Sequence, residues 1–194
     1  KQIMALIKAG CDNIDTIEYN IPFAGKLGKG RLNMYKSLSM EIPPAVVLED
    51  ISVNDNNNTI SIGGSFINYL KNVENLTITA EVVNEYANII NPTIFEGSLE
   101  QMQSYSSASL ILIELDENIP YDYNLAIKLN YSAENYTDYQ FIDFLVNPSY
   151  IDINTEKLSL SITANGRIGY SDSQSSIGNG LNYNNLYDLF YDCG

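Results

Sequence analysis

From Ala45 onward the chain alternates apolar and polar residues in short runs that Asn, Asp, Gly and Pro interrupt, and this pattern restricts the fold more than any other feature. Leu76-Thr77-Ile78-Thr79-Ala80-Glu81-Val82, Leu125-Ala126-Ile127-Lys128-Leu129 and Leu158-Ser159-Leu160-Ser161-Ile162-Thr163 each send every second residue to one face. That is the spacing of a strand with one dry side and one wet side. Leu110 to Ile113 and Phe141 to Val146 are more continuously apolar and suit central strands. A parallel sheet would need long crossovers, and few stretches after Ser39 have a helical period. Residues 43–154 are therefore expected to form one antiparallel β-sandwich of immunoglobulin or fibronectin-III type. The fold class is mainly β, with a short two-helix segment ahead of the sandwich.

That segment, residues 1–42, ends at Glu41-Ile42-Pro43-Pro44, a stiff extended connection because proline fixes its own φ and biases its predecessor away from helix. Within it Ile3, Leu6 and Ile7 make one apolar helix face, and Gly10 suits a left-handed cap. Gly28 and Gly30 allow a tight backbone before a second helix carrying Leu32, Tyr35 and Leu38. On physical grounds alone this is an ordinary helix-turn-helix packing unit. The Gly28-Lys29-Gly30-Arg31 run lacks the spacing of a phosphate-binding P-loop.

The order of these parts resembles the C-terminal end of the catalytic domain of subtilisin-like serine proteases. There a short amphipathic helix and an Asp-containing turn lead into a Gly-Lys-Gly-x-hydrophobic-Asn run that opens the last helix. Gly28, Gly30 and Asn33 match structural positions of that run, and none is catalytic in the family. The resemblance covers about a fifth of the chain and implies that the serine, acid and histidine of the parent enzyme all precede Lys1. It also implies a secreted protein, extracellular or at the cell surface, whose accessory sandwich has the upstream catalytic domain as its partner.

The chain has no histidine, so it cannot itself supply the imidazole that a serine or cysteine triad needs. No catalytic, cofactor or metal-binding residue is assigned. With 24 Asp and Glu against 10 Lys and Arg, the net charge of −14 speaks against nucleic acid and anionic membranes, which are bound through basic residues. No apolar run spans a bilayer. Mean hydropathy of −0.12 is that of a globular chain. Cys11 and Cys193 define no disulfide scaffold and no zinc site of ordinary spacing, and a bridge between them is the minority expectation.

Two acidic groups, Asp12, Asp15 and Glu18, and Glu49, Asp50 and Asp55, could offer oxygens to calcium, although neither follows the EF-hand spacing. Their default meaning is a solvated turn. A carboxylate pair for glycoside hydrolysis is not singled out among so many acids. In residues 155–194, Asn165-Gly166 signals a hairpin, and the segment is expected to begin a further module. Tyr183, Tyr187 and Tyr191 would share one face of a helix, as packing under the module's strands or as a stacking surface for a protein or glycan ligand. Sequons occur at Asn57, Asn75, Asn130 and Asn135. The alternative to a protease fragment is a free-standing adhesion or carbohydrate-binding sandwich.

Overall fold

The computed structural model describes residues 1–56, 58–171, 176–178, 180–183 and 187–188. It divides into two compact units, one of Lys1–Glu117 with Ala126–Ile142 and one of Asn118–Leu125 with Asp143–Gly194.

The first unit opens with α1 (Gln2–Ala9), a 3-10 turn (Glu18–Phe23) and α2 (Met34–Ser39). Strands β1 (Val46–Asn56), β2 (Thr59–Asn68), β3 (Val73–Val82), β4 (Ala87–Ile89), β5 (Thr93–Leu99), β6 (Ser104–Leu115), β7 (Tyr123–Ala133) and β8 (Tyr136–Val146) follow, the last two running on into the second unit. They form two four-stranded sheets, in the orders β1-β2-β6-β4 and β5-β3-β7-β8. The order is that of an immunoglobulin-like sandwich, as the alternating runs require.

The inward residues of the two sheets meet in a dry core. Ile60, Ile62 and Phe66 of β2 and Ile111 and Ile113 of β6 face Ile78 of β3 and Ile127, Leu129 and Tyr131 of β7, all at most 1% exposed. Phe66 and Tyr131 touch edge to face, with ring centroids 6.2 Å apart. The apolar run Leu110 to Ile113 is central, as expected, because β6 lies between β2 and β4. Phe141 to Val146 is not: β8 is an edge strand, with Leu145 exposed.

At one end of the sandwich the buried Asn68 ties three stretches of chain together, around Ala45, Asn68 to Lys71 and Leu99 to Gln103. Its Oδ1 accepts the Ala45 N–H at 3.1 Å, and its Nδ2 donates to Lys71 O at 2.8 Å and Leu99 O at 3.0 Å. Its own N–H donates to Gln103 O.

The helical segment clusters with the sandwich instead of standing apart. Ala5 and Leu6 pack on Ala45, Tyr69 and Leu70. Gly10 is not a left-handed cap; its φ of −83° is right-handed. Glycine is needed for a different reason, since a Cβ there would lie 2.6 Å from the Ser37 Cα and 2.7 Å from its nitrogen, where α2 crosses α1. Leu32 lies ahead of α2, whose N-cap is Asn33, and Leu32, Tyr35 and Leu38 are all exposed rather than packed on α1 or the sandwich. Ile3 is exposed too.

In the second unit β9 (Tyr150–Asn154), which lies inside the range 43–154 expected for the sandwich, pairs with β10 (Leu158–Thr163). Two short strands, β11 (Tyr170–Ser171) and β12 (Ser176–Ile177), form a separate pair. Strands β13 (Leu181–Tyr183) and β14 (Tyr187–Asp188) complete the order β14-β13-β10-β9. The turn at Asn165-Gly166 forms, with Gly166 at φ +77° and Ile162 bridged to Ile168. Tyr183 and Tyr187 are not on a helix: they are backbone register partners in an antiparallel strand pair. Tyr191 lies outside the described residues, as do Cys193 and Asn57.

Candidate functional site

The feature that distinguishes the first unit is the helical segment fastened along the open side of the sandwich, between the edge strands β1 and β8. Its first attachment is α1. Lys1 pairs with Glu49, the Tyr69 hydroxyl donates to the same carboxylate at 2.7 Å, and Gln2 Nε2 donates to Tyr69 O at 3.0 Å. These contacts hold the Glu49 carboxyl below its ordinary range, the Lys1 bond being the main cause.

The second attachment is Lys29. Its ammonium pairs with Asp138, donates to Tyr139 O at 2.7 Å and sits 4.5 Å from the centre of the Tyr139 ring. In return the Tyr139 hydroxyl donates to Gly28 O at 2.8 Å. Gly28 and Gly30, at φ +65° and +97°, shape the loop that delivers this lysine.

Between these attachments Asp12 organises the turn. Its backbone exchanges two hydrogen bonds with Arg31, of 2.8 and 2.9 Å, and its carboxylate takes Asn33 Nδ2 and Arg31 Nη2. The Asn33 bond, then the Arg31 bond, lower its pKa. Asn33 Oδ1 in turn caps α2 by accepting the Lys36 N–H at 3.0 Å. Asp15 accepts the Gly25 N–H at 3.1 Å. Asp12 and Asp15 are thus engaged in shaping the chain, and among the described residues no three His, Cys, Asp or Glu side chains converge as a metal-holding group. Glu18, Asp50 and Asp55 are exposed, and Asp50 lies at a bulge in β1 with φ +51°.

Where β1 and β8 approach, side chains replace a missing ladder. Gln140 Oε1 accepts the Leu48 N–H at 2.9 Å and the Tyr131 hydroxyl at 3.0 Å, while Gln140 Nε2 donates to Leu48 O at 3.0 Å. The Tyr136 hydroxyl accepts the Val46 N–H at 3.0 Å. Burial pushes the Tyr131 and Tyr136 phenols far up. Sequence reasoning missed this set. Its one signal was period two: Tyr136, Asp138, Gln140 and Ile142 lie on one face of β8, where polar groups need partners.

Two clefts flank the Pro43-Pro44 connection. One, of about 430 Å³, runs between the helical segment and β8 past Lys8, Cys11, Lys29 and Tyr136. The other, of about 400 Å³, is walled by Ile42, Pro43 and Pro44 and rimmed by Glu74 and Glu134. Cys11 makes a weak bond from Sγ to Ile7 O at 3.5 Å. Of the sequons, Asn75 and Asn135 are exposed, and Asn130 donates to Glu81 at 3.2 Å.

The outward side of the segment is apolar. Ile3 is 75% exposed, Tyr19 86%, Tyr35 83% and Leu38 78%, with Met4, Ile17, Ile21 and Phe23 also at the surface. Among the described residues no helix is long and apolar enough to cross a membrane.

No family model and no curated protein matches the chain. A solved structure, the GAE domain of GGA2p from Saccharomyces cerevisiae, is similar over 54% of this chain and 97% of that one, at 17% identity and a TM-score of 0.29, a likeness too slight to carry an argument.

Proposed function

We propose that this chain is a non-catalytic part of a secreted subtilisin-like serine protease: an accessory β-sandwich whose helical segment joins it to a catalytic domain preceding Lys1. The observation that carries this reading is the two-sidedness of residues 1–23. Their inner side is fastened to the sandwich at Lys1, Gln2 and Ala5, while Ile3, Met4, Tyr19, Ile21 and Phe23 present apolar surface to water. An eight-residue helix is marginal by itself, and exposed apolar clusters mark contact surfaces. A segment of this kind suits a joint between two folded bodies, and the run Gly28-Lys29-Gly30-Arg31-Leu32-Asn33 suits the family resemblance.

The chain's part in such an enzyme is mechanical. Lys29 and Lys1 lock the joint to both edge strands, so a body docked on the outer side is held at a fixed orientation to the sandwich. The decisive test is the coding sequence ahead of Lys1. A Gly-Thr-Ser-hydrophobic-Ala motif within some tens of residues is expected, whereas a signal peptide directly before Lys1 would refute the proposal and favour a free-standing adhesin. Stoichiometric labelling of the isolated chain by a fluorophosphonate would refute it as well, since the serine and histidine of the family would lie elsewhere.

A further inference from the structure

We propose that the outer face of α2 and the acidic cleft beside Pro43-Pro44 are complementary, and that they pair two copies of this chain about a two-fold axis. This goes beyond the proposed function and is argued from a different surface: the outer face of the joint is drawn from residues 1–23, the pairing from the exposed side of α2 and the cleft.

Tyr35 and Leu38 are three residues apart on α2 and therefore neighbours on one face, and both stand almost wholly in water. The cations Arg31 and Lys36 flank them, with side chains 74% and 47% exposed, and because both share the single carboxylate of Asp12 the group keeps one net positive charge. Charge along the chain is strongly divided. Residues 1–42 hold six of the ten Lys and Arg against four acids, and residues 43–194 hold the other four against twenty. The apolar face of α2 thus lies on the basic part of an acidic protein.

The cleft is its counterpart. Ile42, Pro43 and Pro44 give it an apolar wall, and its one lysine, Lys71, is already paired with Glu41. Glu74 and Glu134 on the rim are exposed, with no cation partner among the described residues. An apolar face with a net positive border and an apolar cleft with a net negative rim are complementary in sign. An anionic lipid surface is the poorer occupant, because the twenty acids of residues 43–194 would be repelled by it. Adjacency also favours a second copy. The helix ends at Ser39 and the cleft begins at Glu41, so one two-fold exchange fills both clefts and closes the assembly.

The test is sedimentation velocity and equilibrium on the whole chain over roughly a hundredfold range of concentration, at low salt and at about 0.5 M NaCl. A monomer–dimer equilibrium is expected, weakened about tenfold or more by the salt. Leu38→Glu, Tyr35→Glu and Glu134→Lys should each give monomer. All three sites are exposed, so thermal melts should confirm that the variants stay folded. Combining Lys36→Glu with Glu134→Lys should restore the dimer by exchanging the charges. A wild-type chain that stays monomeric, a dimer indifferent to these substitutions, or open-ended oligomers would each overturn the proposal. So would a monomer that instead floats with phosphatidylserine vesicles.

Discussion

Gln140 forms with Leu48 both of the backbone hydrogen bonds that a neighbouring strand would form, at 2.9 Å to the N–H and 3.0 Å to the carbonyl. A primary amide carries one acceptor and a donor pair in the plane of a peptide, so it can stand in for one. Strands β1 and β8, which belong to different sheets, are joined there without a ladder. Replacing Gln140 by Leu keeps the approximate volume but strands two backbone groups and the Tyr131 hydroxyl. Urea unfolding should show a loss of about 3 kcal/mol. A loss below about 1 kcal/mol would mean that water enters and takes over the amide's bonds.

The two buried phenols set an alkaline limit. Their folded pKa values are raised, chiefly by burial, above the ordinary value of 10.0. The neutral form is the one the fold favours, so their contribution is complete below pH 10.0 and is lost as pH climbs toward the folded values. Absorbance at alkaline pH should show these two tyrosines ionising only together with unfolding, after the exposed ones. Tyr131→Phe and Tyr136→Phe should flatten the decline of stability above that pH. A smooth titration of every tyrosine in a folded chain would contradict this.

Gly10→Ala should separate the two helices. The added carbon would fall 2.6 Å from the Ser37 Cα, a backbone contact that no rotamer relieves. Limited proteolysis should become about tenfold faster between Cys11 and Arg31, while the sandwich melts nearly as before. Gly28→Ala is the control, since its Cβ would meet nothing within 4 Å and only the positive φ of 65° is penalised, at about 1 kcal/mol. Equal effects of the two substitutions would rule out a packing role for Gly10.

Lys29→Met should loosen the turn without unfolding the sandwich. It removes an ion pair, a bond to Tyr139 O and a cation over the Tyr139 ring, and leaves the apolar stem in place. Hydrogen exchange should accelerate in residues 24–33 and stay unchanged in β2, β6 and β7. Uniform acceleration would show that the lysine supports the whole unit, not the joint alone.

The strands were legible because period two survives wherever one face is buried, as from Leu76 to Val82 in β3. In β10 the strand formed where expected, but its faces did not sort as the alternation implied, since Leu158 and Ile162 are exposed and Ser161 is fully buried. The aromatic spacing of Tyr183 and Tyr187 misled, since residues four apart can also be register partners on two antiparallel strands. Tyr35 and Leu38 gave a helical period without burial, because period reports which residues share a face and not whether anything covers it. Lys29 and Gln140 were invisible for a different reason. Their partners lie about 110 and 92 positions away, and no local pattern records such a pairing.

Asn68 is fully paired only when Ala45, Lys71, Leu99 and Gln103 have all arrived. Each alternative arrangement of the sandwich, a slipped β2 or an exchanged β5, leaves an amide dehydrated and unbonded in the interior. The residue therefore acts as a proofreader of topology: it adds little to the correct fold beyond what water would have offered, and penalises the wrong ones. Its bonds to Ala45 and Leu99 span 23 and 31 residues, so they are satisfied only once those segments have come together. A chain carrying Asn68→Leu should accordingly reach compact states readily and select among them poorly.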